Sequence, residues 1–316
     1  MTDIRDFIHS PTDLAKSTLE WAKQMRDDPG ISLGIPCLDR QVVPFRPGDF
    51  ITVLGRPGNG KSSFLCWLAR QEARRLKEKQ CVVFVTWETT AEVLDLTMQV
   101  TKGVSVADVA WGRANMELLK LMSIQRGSLP VWIIGHGVGG TDRKLPRLTP
   151  RKVFEAIESI REDYDIEPTM LLIDYIQIVP IEGYNSSDRV QVVTEIPYRL
   201  KELAMRLSVA VVAAAQAHRR VDDRKIKLPG MQDALWASSI EQASDKIFSL
   251  WLPTTTEDPG AVIKIGGQDY PVVENLFFLK LLKQKKYKGR FTWPLHFSIE
   301  DLRLAALESD VENLPF

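Results

Sequence analysis

Three glycines, a lysine and two serines crowd into GRPGNGKSS, Gly55 to Ser63. Closely spaced glycines let successive backbone N–H groups converge on one point, and such a concavity binds an anion. Gly55, Arg56, Pro57, Gly58, Asn59, Gly60, Lys61 and Ser62 fill the pattern G-x-x-x-x-G-K-[ST] completely. The chemistry this pattern serves is the holding of a nucleotide's phosphates. The backbone from Gly55 to Ser63 would cradle them, Lys61 would reach the β- and γ-phosphates, and the Ser62 hydroxyl would hold Mg²⁺. The loop follows FITVL and opens FLCWLARQEARRL, a strand and a helix by composition, which is the context the pattern requires.

Three polar side chains end apolar runs elsewhere in the chain. Asp174 is the only charge in LLIDYIQIV, Glu88 closes CVVFVTWE, and Gln216 closes VAVVAAAQ. Each could simply cap a strand end or start a helix. Beside a complete phosphate loop each has a sharper role, because ligands of open α/β sheets bind at the carboxyl ends of the strands. Asp174, expected on a strand neighbouring the loop's own, would carry the carboxylate on the Mg²⁺ side. Glu88 would polarise water facing the γ-phosphate. Gln216 would report whether that phosphate is present. Downstream of it, Arg219, Arg220, Arg224, Lys225 and Lys227 share one polar segment with Asp222 and Asp223. A solvated loop looks the same, but after a strand-end glutamine the segment is expected to line a nucleic-acid path. Binding there would weaken steeply with salt.

The elements that must position these groups follow from periodicity. Residues 11–26 read as one helix, with Pro11 in its first turn, broken by DDPG at 27–30. Its apolar residues must dock either on its own domain or on another copy. Beyond Gly30, apolar strands at 50–55, 81–88, 129–135, 169–179 and 209–216 alternate with helices at 62–79, 89–103, 115–126, 148–163 and 196–207. Strands apolar on both faces and alternating with helices predict an α/β fold with a mostly parallel central sheet flanked by helices. FFLKLLKQKK and RFTWPLHFS predict two closing strands, and residues 254–271 a surface excursion. The division expected is an N-terminal helix segment, 1–30, and one domain, 31–316.

Bulk properties narrow the class further. Lys+Arg and Asp+Glu both number 41 in 316 residues, so the chain does not coat a polyanion by bulk charge, although a local basic patch remains allowed. Cys37, Cys66 and Cys81 form no C-x-x-C pair and read as buried thiols in a reducing compartment. The four histidines are scattered, which argues against a His-based metal site. The acidic N-terminus has no apolar leader segment, and no run approaches the roughly 18 apolar residues of a membrane span. A cytoplasmic location is expected.

The motifs together carry a resemblance. GISLGIPCLDRQVVPFRPGDFITVLGRPGNGKSS, VTWETTAEV, IDYIQIV, AAAQAHR and SSIEQASD resemble, in order, the corresponding segments of the ATPase domain of DnaB-type replicative helicases, in the RecA-like superfamily. The resemblance runs along nearly the whole chain, and SSIEQASD (Ser238 to Asp245) is distinctive of that family. It implies a RecA-like P-loop ATPase with ATP and Mg²⁺ as cofactors, Glu88 as catalytic glutamate, Asp174 as the metal-side aspartate and Gln216 as the strand-end glutamine. It implies a homo-oligomer, usually a hexameric ring, with ATP sites between subunits and single-stranded DNA in the channel. Residues 11–26 sit where that family carries a linker helix that docks on the next subunit. Three departures stand out. About 30 residues precede the ATPase domain, too few for a collar domain with its own core. Lys283, Lys285 and Lys286 stand where the family commonly has an arginine, so Lys283 or Lys285 would complete a neighbour's site as a point charge. Leu235 and Trp236 replace an Arg-Glu pair, and Trp236 would stack on a base. The function expected is an ATP-dependent DNA helicase or translocase. The lysines and the missing collar also suit a filament-forming recombinase or mediator, and a nucleotide-gated DNA-binding scaffold shares the same ATP chemistry.

Overall fold

Phe50–Gly55 (β1) is buried at every position, and so is Lys246–Trp251 (β6), while Ala210–Gln216 (β5) is buried up to its final glutamine. The other strands of the computed structural model are Gln80–Thr86 (β2), Val131–Ile134 (β3), Glu167–Asp174 (β4), Val262–Ile265 (β7), Gln268–Pro271 (β8), Leu276–Gln284 (β9), Phe291–Ser298 (β10) and Arg303–Ala306 (β11). The helices are Pro11–Asp27 (α1), Pro36–Asp39 (α2), Lys61–Ala73 (α3), Ala91–Met98 (α4), Val106–Ala110 (α5), Met116–Gly127 (α6), Pro150–Tyr164 (α7), Arg189–Leu207 (α8) and Ala237–Ala243 (α9). The structure describes residues 8–99, 104–137, 148–183, 189–235, 237–285, 287 and 289–307.

Nine strands form one sheet in the order β11-β10-β9-β6-β1-β5-β4-β2-β3. The six from β6 to β3 run parallel, and β9, β10 and β11 follow as an antiparallel edge. Successive side chains of a strand point to opposite faces, and β1 shows it. Ile51 and Val53 pack with Phe64, Leu65 and Leu94 from α3 and α4. Phe50 and Leu54 pack with Ile157, Leu200 and Ile240 from α7, α8 and α9. Both faces are therefore covered, which is why the central strands carry almost no polar residues.

The mostly parallel, helix-flanked sheet is the expected class. Several details differ from the sequence reading. Asp174 does not lie on the strand next to β1; β5 stands between β1 and β4. The strand expected over 169–179 starts two residues earlier and stops at Asp174, where a short 3₁₀ turn, Ile176–Ile178, takes over. The helix expected over 62–79 ends at Ala73, and Lys79 adopts a left-handed backbone before β2. The excursion at 254–271 holds the hairpin of β7 and β8. Strand β6 escaped the sequence reading altogether. Its Lys246 is buried because the ammonium pairs with Asp49 at 2.6 Å and lies over the Phe45 ring. Gly103, the expected end of the helix over 89–103, lies outside the described residues.

Helix α1 has a Ser10 cap whose hydroxyl oxygen accepts the Asp13 N–H at 3.1 Å, and Pro11 follows in the first position. It buries no residue: Leu14, Leu19 and Trp21 are exposed, so α1 does not pack on its own domain. Its C-terminal end is tied to the body by Arg46, which donates to the carbonyls of Met25 and Asp28.

Candidate functional site

The register of the sheet gathers the polar strand ends. Gly55 of β1 stands beside Gln216 of β5, and Thr86 of β2 beside Asp174 of β4. Strands β1, β5, β4 and β2 are consecutive, so the phosphate loop, Gln216, Asp174 and Glu88 share one sheet edge about 14 Å wide at the usual strand spacing. A cleft of ≈ 420 Å³ opens there. Pro57, Gly58, Gly60, Lys61, Ser62 and Ser63 line it with Glu88, Asp174 and Gln216. Tyr175 and Ile299 line it too, without any sequence signal that marked them.

The loop's shape has local causes. Gly60 precedes α3 with φ +79°, a left-handed conformation that side chains resist. At Gly55 a Cβ would come within 2.7 Å of Leu250 Cδ1, so any larger residue where the loop leaves β1 would have to displace that buried leucine. Helix α3 then presents its N-terminus, the positive end of its dipole, to the cleft. Lys61 Nζ donates to the Arg56 carbonyl at 3.0 Å, across the loop. Glu88 is placed by a turn in which Thr86 Oγ1 accepts the Thr89 N–H at 3.2 Å and donates to the Thr89 carbonyl. The preceding Trp87 is anchored by its indole N–H on the Leu148 carbonyl at 2.7 Å, and Glu88 itself is exposed toward the cleft.

The charges of the site perturb one another. Burial lowers the Lys61 pKa, and the carboxylates of Asp174 and Glu88 partly offset it. Asp174 is 6% exposed. Burial raises its pKa, against the pull of a hydrogen bond from Ser62 and of the Lys61 ammonium. Glu88 is raised first by burial and then by Asp174, with Lys61 opposing. A carboxylate raised in this way is a stronger base than an ordinary glutamate. The contact between the Ser62 hydroxyl and the Asp174 carboxylate sets two oxygen donors side by side. That pair fits Mg²⁺, which takes one or two protein oxygens and completes its shell with phosphates and water.

Some expected residues have other engagements. The Asn59 side chain is 2% exposed, and its Oδ1 accepts the Leu252 N–H at 2.8 Å. It fastens the loop to the end of β6 rather than facing the cleft. The Arg56 guanidinium lies on Asp222 and the Ala217 carbonyl. In the basic segment, Arg224 forks onto Asp233 at 2.7 and 2.6 Å, and Lys227 pairs with Glu257 at 2.6 Å. These two are engaged within the chain, whereas Arg219, Arg220 and Lys225 are exposed. Trp236 and Lys286 lie outside the described residues.

Lys283 and Lys285 are far from this cleft. Lys283 pairs with Ile247 of β6, which follows the Lys246 that stands beside Ile51 of β1. This is the end of the sheet opposite to Gly55, about 13 Å away along β1. Lys283 Nζ donates to the Glu241 and Ser244 carbonyls, and Lys285 Nζ lies 3.6 Å from Asp245. Neither can serve the phosphate loop of its own chain.

Gln177 was not singled out from the sequence. Its Oε1 accepts the Gln216 N–H at 3.2 Å, and its Nε2 donates to the Gln216 carbonyl at 3.4 Å. It thereby joins the turn after Asp174 to the end of β5. Its place three residues after the aspartate was the available signal.

The profile of the DnaB-like helicase C terminal domain matches residues 30–264, a span that holds the phosphate loop, Glu88, Asp174 and Gln216 together. The chain belongs to this family. It is similar to the replicative DNA helicase DnaC of Bacillus subtilis (strain 168), 29% identical over 244 residues, covering 76% of this chain and 52% of that protein. The replicative DNA helicase DnaB of Pasteurella multocida (strain Pm70) is 30% identical over 251 residues, covering 76% and 51%. The chain thus spans about half the length of the curated relatives it matches. In fold it is similar to a solved ATPase domain, with a TM-score of 0.72 at 20% identity, covering 95% of this chain and 100% of that one. A DnaB-like replicative helicase described with its primase interactions has a TM-score of 0.71 at 19% identity, covering 95% and 68%. The mostly parallel sheet flanked by helices is the fold these two solved structures share with this chain. Among the described residues no helix is long and apolar enough to cross a membrane.

Proposed function

We propose that this chain is an ATP-hydrolysing DNA motor that assembles head to tail, as a hexameric ring, and moves along single-stranded DNA. The observation that carries the reading is the separation of the two halves of a site. The phosphate loop, Asp174 and Glu88 meet at one end of the sheet, and Lys283 and Lys285 stand at the other. A second copy placed end to end would bring those lysines to the first copy's cleft. Lys285 is the better donor, because its side chain is 54% exposed while Lys283 is held by two carbonyls. Residues 31–316 would form the ATPase domain. Residues 1–30 would form a linker segment whose exposed Leu14, Leu19 and Trp21 supply a contact with the neighbouring copy.

The residues divide the work of hydrolysis. Backbone N–H groups of the loop and the α3 N-terminus hold the phosphates of ATP. Lys61 exchanges the Arg56 carbonyl for phosphate oxygens. Ser62 and Asp174 would hold Mg²⁺, which would neutralise charge on the phosphates. Glu88 takes the proton of the attacking water as its oxygen bonds to the γ-phosphorus and the bond to the bridging oxygen breaks. Gln216, beside the loop and continuous with the segment from Arg219, senses the γ-phosphate. Exposed Arg219, Arg220 and Lys225 supply the contacts to DNA phosphates.

The decisive experiment is electron microscopy with a non-hydrolysable ATP analogue and single-stranded DNA, paired with ATP turnover measured with and without the DNA. Closed six-membered rings and DNA-stimulated turnover are expected. Open filaments would replace the ring by the recombinase-like reading, and assembly with turnover indifferent to DNA would refute the motor.

A further inference from the structure

The phosphate loop carries one ion pair that the reaction described above does not use. Arg56 Nε lies 3.0 Å from both carboxylate oxygens of Asp222, and its second terminal nitrogen donates to Oδ2 at 2.7 Å. The remaining terminal nitrogen donates to the Ala217 carbonyl at 3.0 Å. The Ala217 N–H in turn donates to the Gly55 carbonyl at 3.1 Å. The Arg56 carbonyl accepts Lys61 Nζ at 3.0 Å and the Asn59 N–H at 3.2 Å. Arg56 therefore holds the loop's ammonium with its backbone and the segment after β5 with its side chain.

The pair joins residues 166 positions apart, across the ends of two adjacent strands. Its side chains are 18% and 40% exposed, a setting in which an ion pair adds little to stability. Its geometry is nonetheless the forked one that fixes orientation. Asp222 directly follows the 3₁₀ turn Arg219–Val221, so the carboxylate is covalently close to the exposed Arg219 and Arg220. Val221 between them is fully buried, which anchors the turn as one piece.

We propose that Asp222 is a positioning residue that, through Arg56, couples the phosphate loop to the 219–225 segment. This rests on the reading of that segment as DNA-facing. When Lys61 leaves the Arg56 carbonyl for phosphate oxygens, that carbonyl keeps only the Asn59 N–H at 3.2 Å, and the Arg56 peptide can tilt. Its guanidinium carries Asp222 with it. In the other direction, a polyanion drawing on Arg219 and Arg220 shifts Asp222 and so the loop. Such coupling is reciprocal by thermodynamic necessity. The route is distinct from Gln216, because it runs from the second residue of the loop and not from a side chain facing the γ-phosphate.

The test uses the full chain with Asp222→Asn and Asp222→Glu. Asparagine keeps the shape and removes the charge, whereas glutamate keeps the charge. Steady-state ATP turnover is measured with and without oligo-dT, alongside thermal unfolding. For Asp222→Asn the stimulation by oligo-dT is expected to fall by about fivefold or more, the lower bound of a typical coupling. Turnover without DNA should stay within about twofold, as for a surface substitution. Asp222→Glu should recover most of the stimulation at unchanged melting temperature. A wild-type stimulation ratio in Asp222→Asn overturns the proposal. So does a parallel fall in turnover with and without DNA, which would make the pair a prop for the loop. If wild-type protein shows no stimulation at all, the DNA-motor reading fails, and the coupling fails with it. If only the variants depart from expectation, the motor reading stands.

Discussion

Replacing Glu88 by glutamine tests the proton-accepting role proposed for it. The substitution keeps the side chain's volume, and nothing that shapes its turn depends on the carboxylate. Thr86 Oγ1 holds Thr89, and Trp87 is anchored on Leu148, through atoms the change leaves alone. The fold and the cleft should therefore persist. Loss of a positioned general base costs about 10²- to 10⁴-fold in rate, which is about 3–5 kcal/mol of activation free energy. Binding should move the other way. Glu88 is one of two carboxylates facing Lys61, and removing its charge lessens the repulsion that an incoming polyphosphate meets. The pH dependence follows from the partial desolvation of the Glu88 carboxyl at the cleft and from the Asp174 charge beside it. The Glu88 pKa is raised above the usual 4.5, so the basic form is lost as pH falls through a value higher than that. Turnover should decline on the acid side along a limb that Glu88→Gln abolishes. A coupled ATPase assay across pH, together with equilibrium binding of a fluorescent ATP analogue, measures both effects. Near-normal turnover in Glu88→Gln, or an unchanged acid limb, would remove Glu88 from the role.

Other outcomes follow from the site's supports. Asn59→Ala leaves the buried Leu252 N–H without its acceptor and should cost about 1–3 kcal/mol in urea unfolding, with weaker nucleotide binding as the loop loosens; an unchanged unfolding midpoint would contradict this. Asp245 is 8% exposed and accepts from Lys201 Nζ at 2.6 Å and the Phe50 N–H at 2.9 Å. Asp245→Ala should destabilise by about 2–4 kcal/mol, between a charged hydrogen bond and a broken buried pair. Burial alone would raise the Asp245 pKa, but Lys201 and the Phe50 N–H hold it below the ordinary value. Its contribution is then full above the unfolded aspartate pKa and lost as pH falls through the folded one. The gap between wild type and variant should narrow in acid, and a gap that widens would reverse the sign. Lys285→Ala should lower DNA-stimulated turnover by about 10²-fold if one charge at the transition state is lost. Mixing it with Lys61→Ala protein should restore activity at junctions that pair an intact loop with an intact lysine, and failure of that complementation would argue against a lysine given across an interface.

The sequence made the cleft end of the sheet legible because its signals are local. GRPGNGKSS encodes its own shape, and Asp174, Glu88 and Gln216 each end an apolar run. The alternation of apolar strands and helices gave the fold class for the same reason. What it did not carry is long-range. Asn59 and Arg56 read as loop members, but their side-chain partners, Leu252 and Asp222, lie 193 and 166 residues away. Arg224 and Lys227 read as cations for DNA, and their ion pairs with Asp233 and Glu257 are not marked in the sequence. Strand β6 hid because Lys246 and Ser249 interrupt its apolar run, and the distant Asp49 and Phe45 make a buried lysine tolerable there. Strand order was invisible too, since nothing local records that β5 separates β1 from β4.

The burial of β1, β5 and β6 has a mechanical meaning. A sheet covered on both faces by side chains from helices is stiff, and close-packed interiors pass strain on instead of absorbing it. On the proposed reading, strain arising at the loop would be passed on in the same way. It would travel along the connections at that sheet edge, where the Arg219–Val221 turn sits, or move the body about its attachment to α1. Arg46, which donates to the carbonyls of Met25 in α1 and of Asp28 just after it, would be the pivot of such a motion.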